Sequence, residues 1–433
     1  MTHIKGSFVL TRSPTNNANV HIFDIPKQFP LATSFKQKRQ SFSIDKIHDK
    51  RSTVSHNSYG LDGSDDENGF EQLRTDKSSL FPDALYNSDL DDDDDNEVIK
   101  TNKAASAEAL YLSSCEKYGV KPSSIFINII KNGETCVSIC HASMSPMDIK
   151  AMVSSLEVCS SITKLNLSGN ELGSLGTIHL AKLIKHNRCI TELNLSHNNI
   201  GQKGCEALCQ SLLFNCMVST LILDGNHLDD KCAIYLAELL ASHKYLIHVS
   251  LSKNLFESTS AAQLFAEALS NNESVEHLDV SFNHFQQKAT AVFITFLSKN
   301  FRLRSLNLSY SSFGLGASKA FSLAMQTKIS QLEKLDLSSN IIDDSCAPYL
   351  ANVLSTNESL RKLNLMQNPL SVDGCYTLLK PLQTMPTSQL ETIDIRDMSI
   401  KSEAFIVLAN DLEDRLPKLR IQRGEKQPYP SLT

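Results

Sequence analysis

Between about residue 160 and residue 370 the apolar positions return every 28 or 29 residues. Each copy reads L-x-x-L-x-L-x-x-N-x-L, followed by apolar residues ten and fourteen positions after the asparagine. The most regular copies are Ile162-Leu165-Leu167-Asn170-Leu172, Ile190-Leu193-Leu195-Asn198-Ile200, Val218-Leu221-Leu223-Asn226-Leu228, Leu332-Leu335-Leu337-Asn340-Ile342 and Leu360-Leu363-Leu365-Asn368-Leu370. Two looser copies run Leu246-Val249-Leu251-Asn254-Phe256 and Val275-Leu278-Val280-Asn283-Phe285. An eighth, Leu303-Leu306-Leu308 with Phe313, has Ser311 where the asparagine belongs.

The pattern dictates the fold of the unit. In L-x-L the apolar side chains fall on every second residue, so one face of a short strand is buried and the other is open. The second half of a copy, such as residues 201–215, carries apolar residues at i, i+3, i+4 and i+7 and ends at Asn or His, which predicts an amphipathic helix. The asparagine stands where the chain turns out of the strand. Its amide can donate to and accept from backbone groups of that turn and of the adjacent copy. Asn170, Asn198, Asn226, Asn254, Asn283, Asn340 and Asn368 are therefore expected to form a structural ladder, with a softer joint at Ser311. One copy has too little apolar surface to offset its own ordering, so copies must stack. Helices are wider than strands, and the stack curves. The predicted fold is an α/β solenoid, a horseshoe with parallel strands on the concave side and helices on the convex side.

Degenerate copies flank this array. Val137-Ile139-Ala142-Met144 with Met152, and Ile393-Ile395-Met398-Ile400 with Leu408, keep the phase but lack the asparagine. About ten repeats over residues 135–415 are expected. A helical cap at 104–134, with a helix from Ala104 to Tyr118 stopped by Gly119 and Pro122, precedes them, and a C-terminal cap and tail at 416–433 follows.

Charge changes the picture only upstream. Of the 433 residues (net charge −6), residues 1–60 hold nine Lys/Arg and three Asp/Glu, and residues 61–104 hold four and fourteen. That stretch is rich in Ser, Thr, Asn and Asp, lacks a sustained period and contains the run Asp91 to Asp95, so residues 1–103 are read as a disordered tail, basic then acidic. Ser64 and Ser88 each precede acidic residues and fit acidophilic phosphorylation. No stretch approaches the ~18 consecutive apolar residues of a membrane span, and the first 30 residues lack a signal-peptide core. A cytoplasmic location without membrane association is expected. Eleven cysteines, odd in number and without CxxC spacing, fit a reduced compartment. Cys205, Cys232, Cys346 and Cys375 fall six or seven residues after ladder asparagines and are expected to pack as small apolar side chains.

These copies resemble those of the leucine-rich repeat proteins, and the 28 to 29 spacing with one helix per copy is similar to the ribonuclease-inhibitor subclass. The preceding segment from Tyr111 to Phe126 resembles the one that opens the repeats in the animal leucine-rich repeat-containing 74 proteins. The resemblance implies a horseshoe-shaped, non-catalytic binding protein, with a setting near the cytoskeleton or cilium. It supplies no activity.

Candidate chemistry lies on the open face of the strands, whose side chains are expected to carry no core duty. Six positions before the asparagine stand Lys164, Glu192, Thr220, His248, His277, Ser305, Lys334, Lys362 and Thr392; four before it stand Asn166, Asn194, Ile222, Ser250, Asp279, Asn307, Asp336, Asn364 and Asp394. This mixture of signs is not the basic stripe of a nucleic-acid site. His248 and His277 should be lateral neighbours at about 4.8 Å, but they lack further metal ligands and read as a polar pair. One position before the ladder stand Phe282 and Tyr310 on adjacent copies, with Lys253, Leu255 and His284 close by in the same frame. Exposed aromatic residues on a rigid rim are what interface hot spots are made of, so this is the candidate partner-binding cluster. Ordinary packing between loops is the alternative.

The motifs GxxxxGK[ST], HExxH, GxSxG and GxGxxG do not occur. No catalytic residue, cofactor or metal is expected. The expected function is a monomeric, non-enzymatic scaffold or adaptor with a protein partner on its concave face. The alternative is a regulator of a small GTPase, since the Ran GTPase-activating proteins use repeats of this length and a loop arginine. By register, Arg188, Arg302, Arg304 and Arg361 fall at helix ends or strand starts, and only Arg396 stands in a strand-to-helix turn.

Overall fold

The computed structural model describes residues 106–385, 388–398 and 402–424. The tail expected over 1–103, with Ser64 and Ser88, and residues 425–433 lie outside the described residues. Eleven three-residue strands form one parallel sheet in sequence order: β1 Cys136–Ser138, β2 Lys164–Asn166, β3 Glu192–Asn194, β4 Thr220–Ile222, β5 His248–Ser250, β6 His277–Asp279, β7 Ser305–Asn307, β8 Lys334–Asp336, β9 Lys362–Asn364, β10 Thr392–Asp394 and β11 Arg420–Gln422. Strands pair at equal frame positions, as Leu165 does with Leu193 and Leu193 with Leu221. A one-residue slip would turn every buried leucine outward, which is why the register is fixed. Across the eight central copies no apolar side chain of the strand pattern, nor the one two positions after the ladder residue, is more than 5% exposed.

Helices return the chain from one strand to the next: Gly173–His186, Gly201–Leu212, Ala233–Ser242, Thr259–Ser270, Gln287–Phe293, Leu315–Met325, Ala347–Thr356, Val372–Leu379 and Glu403–Arg415 after β2 to β10. Two copies are irregular. Between Asn283 and Ser311 the helix has seven residues and runs into a 3-10 turn, Ile294–Ser298, and after Asn368 the eight-residue helix Val372–Leu379 runs into another, Lys380–Thr384. Phenylalanine fills the consensus position after the ladder in three adjacent copies, Phe256, Phe285 and Phe313, and the rings of Phe256 and Phe285 lie 6.5 Å apart.

The seven ladder asparagines are at most 7% exposed. Asn198 Nδ2 donates to the Leu167 carbonyl of the previous copy (2.9 Å) and to Ser196 of its own (3.1 Å), while its Oδ1 accepts the Asn170 N–H at 3.2 Å. At about 1 kcal/mol net per bond the ladder matters in sum. Ser311 Oγ reaches only the Ser309 carbonyl (3.3 Å) of its own turn. A second ladder runs along the helix C-terminal ends. Asn215 Oδ1 accepts the Met217 and Val218 N–H groups at 2.7 and 2.9 Å, and Nδ2 donates to Ile184 and Asn187 of the previous copy at 2.7 and 3.0 Å. Asn187, Asn272, Asn300 and Asn357 accept in the same way, and His243 stands in with Nδ1 accepting Tyr245 and Leu246 N–H at 3.2 and 3.1 Å.

Two helices, Ala107–Tyr118 and Ser124–Asn132, precede β1. The first starts at Ala107, where Ser106 Oγ accepts the Ala109 N–H, and ends at Gly119 with φ +66°. Tyr111 and Phe126 meet edge to face at 4.7 Å in the core of this end. At the other end β11 adds to the sheet beyond residue 415, where Leu416, Leu419 and Ile421 are buried. Ile421 N–H donates to Glu413 Oε1 at 2.7 Å, which fills a donor on an otherwise open edge. Cys205, Cys232, Cys346 and Cys375 are buried at or beside helix starts, and all eleven cysteines are free thiols. Burial pushes the Cys375 thiol up to about 12. No helix of the described residues is long and apolar enough to cross a membrane.

Candidate functional site

Each strand leaves through a turn whose residue just before the ladder position is left-handed. Gly169 and Gly225 hold this place with φ +69° and +62°; elsewhere it is taken by His197 (+56°), Lys253 (+55°), Phe282 (+53°), Tyr310 (+54°), Ser339 (+53°) and Gln367 (+58°). The side chains at this place form one rim of the sheet, and several of them meet the same place of the next copy. The His141 and His197 rings cover Gly169 and Gly225, where an added Cβ would sit 2.2 and 2.3 Å from ring atoms. Ser339 Oγ meets Gln367 Oε1 at 2.7 Å.

In the middle of the rim the row is aromatic. Lys253 Nζ lies 5.8 Å from the Phe282 ring centroid, and Phe282 stacks on Tyr310 at 4.1 Å and 20°. The two rings are 43% and 48% exposed. Leu255 (40% exposed) and His284 lie two residues further along the turns of Lys253 and Phe282; Leu255 N–H is held by the Leu228 carbonyl at 2.8 Å. Among the described residues no ring contact joins His284 to the row. Lys253, Phe282 and Tyr310 thus form one stack, with Leu255 and His284 beside it.

The open face of β3 to β10 lines a trough of about 810 Å³. The row four positions before the ladder is not free to bind, which corrects the expectation that concave side chains have no structural duty. Oδ1 of Asn166, Asn194, Asp279, Asn307, Asp336, Asn364 and Asp394 accepts the backbone N–H two residues on, at 2.9 to 3.1 Å, and so shapes the turn out of the strand. The signal was an Asn or Asp recurring at that place. Asp224, two positions before its ladder residue, accepts Ser250 Oγ (2.6 Å) and Ser252 N–H (2.9 Å), and burial pushes its carboxyl above the ordinary range.

In the neighbouring row, six positions before the ladder, Lys164 pairs with Glu192 at 2.7 Å. His248 and His277 stack face to face at 4.3 Å and 4°. Burial, then the adjacent His248, holds His277 below the ordinary histidine range. Among the described residues no group of three or more His, Cys, Asp or Glu could hold a metal ion. Lys334 and Lys362 are register partners on β8 and β9.

One position earlier, at the strand starts, the residues alternate in sign: Glu276, Arg304, Glu333, Arg361, Glu391. Arg302 and Arg304 both pair with Glu276, Arg304 also reaches Glu333, and Arg361 pairs with Glu391 at 2.9 Å. Arg396 pairs with Asp394 at 2.6 Å.

A family model described as "Leucine Rich repeat" matches residues 158–181, 186–209 and 356–379. The chain is 30% identical over 161 residues to human NACHT, LRR and PYD domains-containing protein 5, covering 37% of this chain and 13% of that protein. It is 27% identical over 186 residues to mouse ribonuclease inhibitor, covering 43% and 40%. The matched stretch is therefore less than half the length of either relative. Among solved structures, the yeast Rad7 and Elc1 complex is matched with a TM-score of 0.45 and 14% identity, over 64% of this chain and 67% of that one. A unit of one strand, one asparagine-held turn and one helix, together with these sequence matches, makes this chain a leucine-rich repeat protein of the ribonuclease-inhibitor type.

Proposed function

We propose that this chain is a monomeric, non-enzymatic scaffold or adaptor that holds a protein partner on the concave face and strand-exit rim of its repeats. The Phe282–Tyr310 stack is the observation that carries this reading. The same turn is made with glycine at Gly169 and Gly225 and with serine at Ser339, so the turn does not require a ring. Holding a side chain in the left-handed region costs roughly 1–2 kcal/mol per residue. Two aromatic residues that carry this cost and remain nearly half exposed fit a role outside the chain's own core.

A nucleic-acid partner fits poorly, because the concave cations form no continuous stripe. A GTPase-activating role needs a loop arginine that can reach a bound phosphate. Arg302, Arg304, Arg361 and Arg396 are each engaged by a carboxylate, which favours the scaffold reading.

The test is capture from native tissue with the full chain and with the chain carrying Phe282→Ala and Tyr310→Ala, read by mass spectrometry. A protein retained by the first and lost by the second, with both chains melting within a few degrees of each other, supports the rim. Retention by both removes it.

A further inference from the structure

By composition the concave rows hold both signs. By unfilled hydrogen-bonding capacity they do not. Asp279 and Asp336 have one oxygen on the turn N–H and the other on Nδ2 of Asn307 and Asn364, at 2.9 Å each. Asp394 is filled by the N–H and guanidinium of Arg396. These aspartates of the trough are thus hydrogen-bonded within the chain's own turns and strands, and Glu192, which also lines it, is paired with Lys164.

The lysines of the trough are not so held. Lys334 and Lys362 are exposed register partners and, among the described residues, neither pairs with a carboxylate. Like charges directly opposite on neighbouring strands destabilise a sheet, so the fold gains nothing from this pair. Two strands before Lys334 lies His277, stacked on His248, with Ser305 between. The row from His248 to Lys362 crosses five strands, about 19 Å at ~4.8 Å per strand, the length of roughly six extended residues.

We infer that this row is the docking strip for an acidic peptide segment of the partner protein. Its carboxylates lie against the Lys334 and Lys362 ammonium groups, and its other end rests on the His277–His248 stack. Lysine suits this role because its three donors accept carboxylates without a fixed orientation. The inference rests on the reading that a protein partner enters the concave face.

The test is fluorescence anisotropy at low salt with a labelled hexaglutamate peptide and the full chain. Three chains are compared: the native one, Lys334→Ala with Lys362→Ala, and Lys182→Ala with Lys203→Ala, which makes the same change of charge on the helices. The expected result is affinity weakened about tenfold by the concave pair and hardly changed by the helical pair. Equal losses, or no binding by the native chain, overturn the inference. Binding that appears only after Asp91 to Asp95 are replaced by asparagine also overturns it, since the strip would then be filled by the chain's own acidic run. A tissue partner lost with Phe282→Ala and Tyr310→Ala but kept by the concave lysine variant leaves the scaffold reading standing and removes the acidic occupant alone.

Discussion

Asn340 Oδ1 accepts the backbone N–H groups of Ser311 and Phe313, each at 2.9 Å, and Ser311 gives nothing equivalent to the copy before it. The ladder therefore breaks on one side of Ser311 only. Ser311→Asn should add about 1 kcal/mol and slow amide exchange at Asn283 and Phe285, which hydrogen exchange reads directly. Asn340→Ala should cost about 3 kcal/mol by leaving buried donors unsatisfied. Unchanged exchange in the first variant would show that the joint at Ser311 is no softer than its neighbours.

His243 makes one step of the second ladder dependent on pH. Burial holds its imidazole below the ordinary 6.5, and the fold uses the neutral ring, whose Nδ1 accepts two N–H groups. As pH falls, the unfolded chain takes the proton first. The contribution is therefore whole above pH 6.5 and is lost as pH drops below it. His243→Asn restores the ladder residue and should lose about 1 kcal/mol less than the native chain between about pH 7.5 and about pH 5. Melting curves at the two pH values measure this.

The strand and turn positions were legible because a buried site tolerates one class of side chain and so repeats visibly, as Leu165, Leu193 and Leu221 do. Features that rest on a single polar side chain with its partner in the next copy were not. Asp279 is an open-face residue by spacing, and only the adjacent strand shows its second oxygen held by Asn307. The alternation from Glu276 to Glu391 was present at one frame position, but an exposed site accepts any polar residue, and the alternation acquires meaning only when strands lie side by side. For Phe282 and Tyr310 the spacing placed both on adjacent turns. The left-handed backbone that brings the rings face to face has no apolar signature.

That backbone makes the rim testable without a partner. At Phe282 (φ +53°) glycine should be the more stable replacement, with Phe282→Ala less stable than Phe282→Gly by about 1 kcal/mol. Denaturant titration of the two variants gives the difference. An alanine variant as stable as the glycine one would mean that the turn carries no such cost.

Arg304 stands between Glu276 and Glu333 on the strand-start ridge. Exposed pairs are worth little singly, about 0.2 to 1 kcal/mol. Arg304→Glu replaces attraction by repulsion on both sides, and should cost roughly 1–2 kcal/mol at low salt, shrinking as salt screens it. Melting temperatures across a salt series check both parts.

The most direct measurement is photo-cross-linking of the full chain in native tissue extract, with p-benzoylphenylalanine placed at Phe282 or, as a control, at Val407 on the last helix, which is 67% exposed. A discrete protein cross-linked from position 282 and absent from 407 is the predicted result. A partner captured from 407, or from neither position while it still co-purifies with the chain, would contradict a binding site on the concave rim.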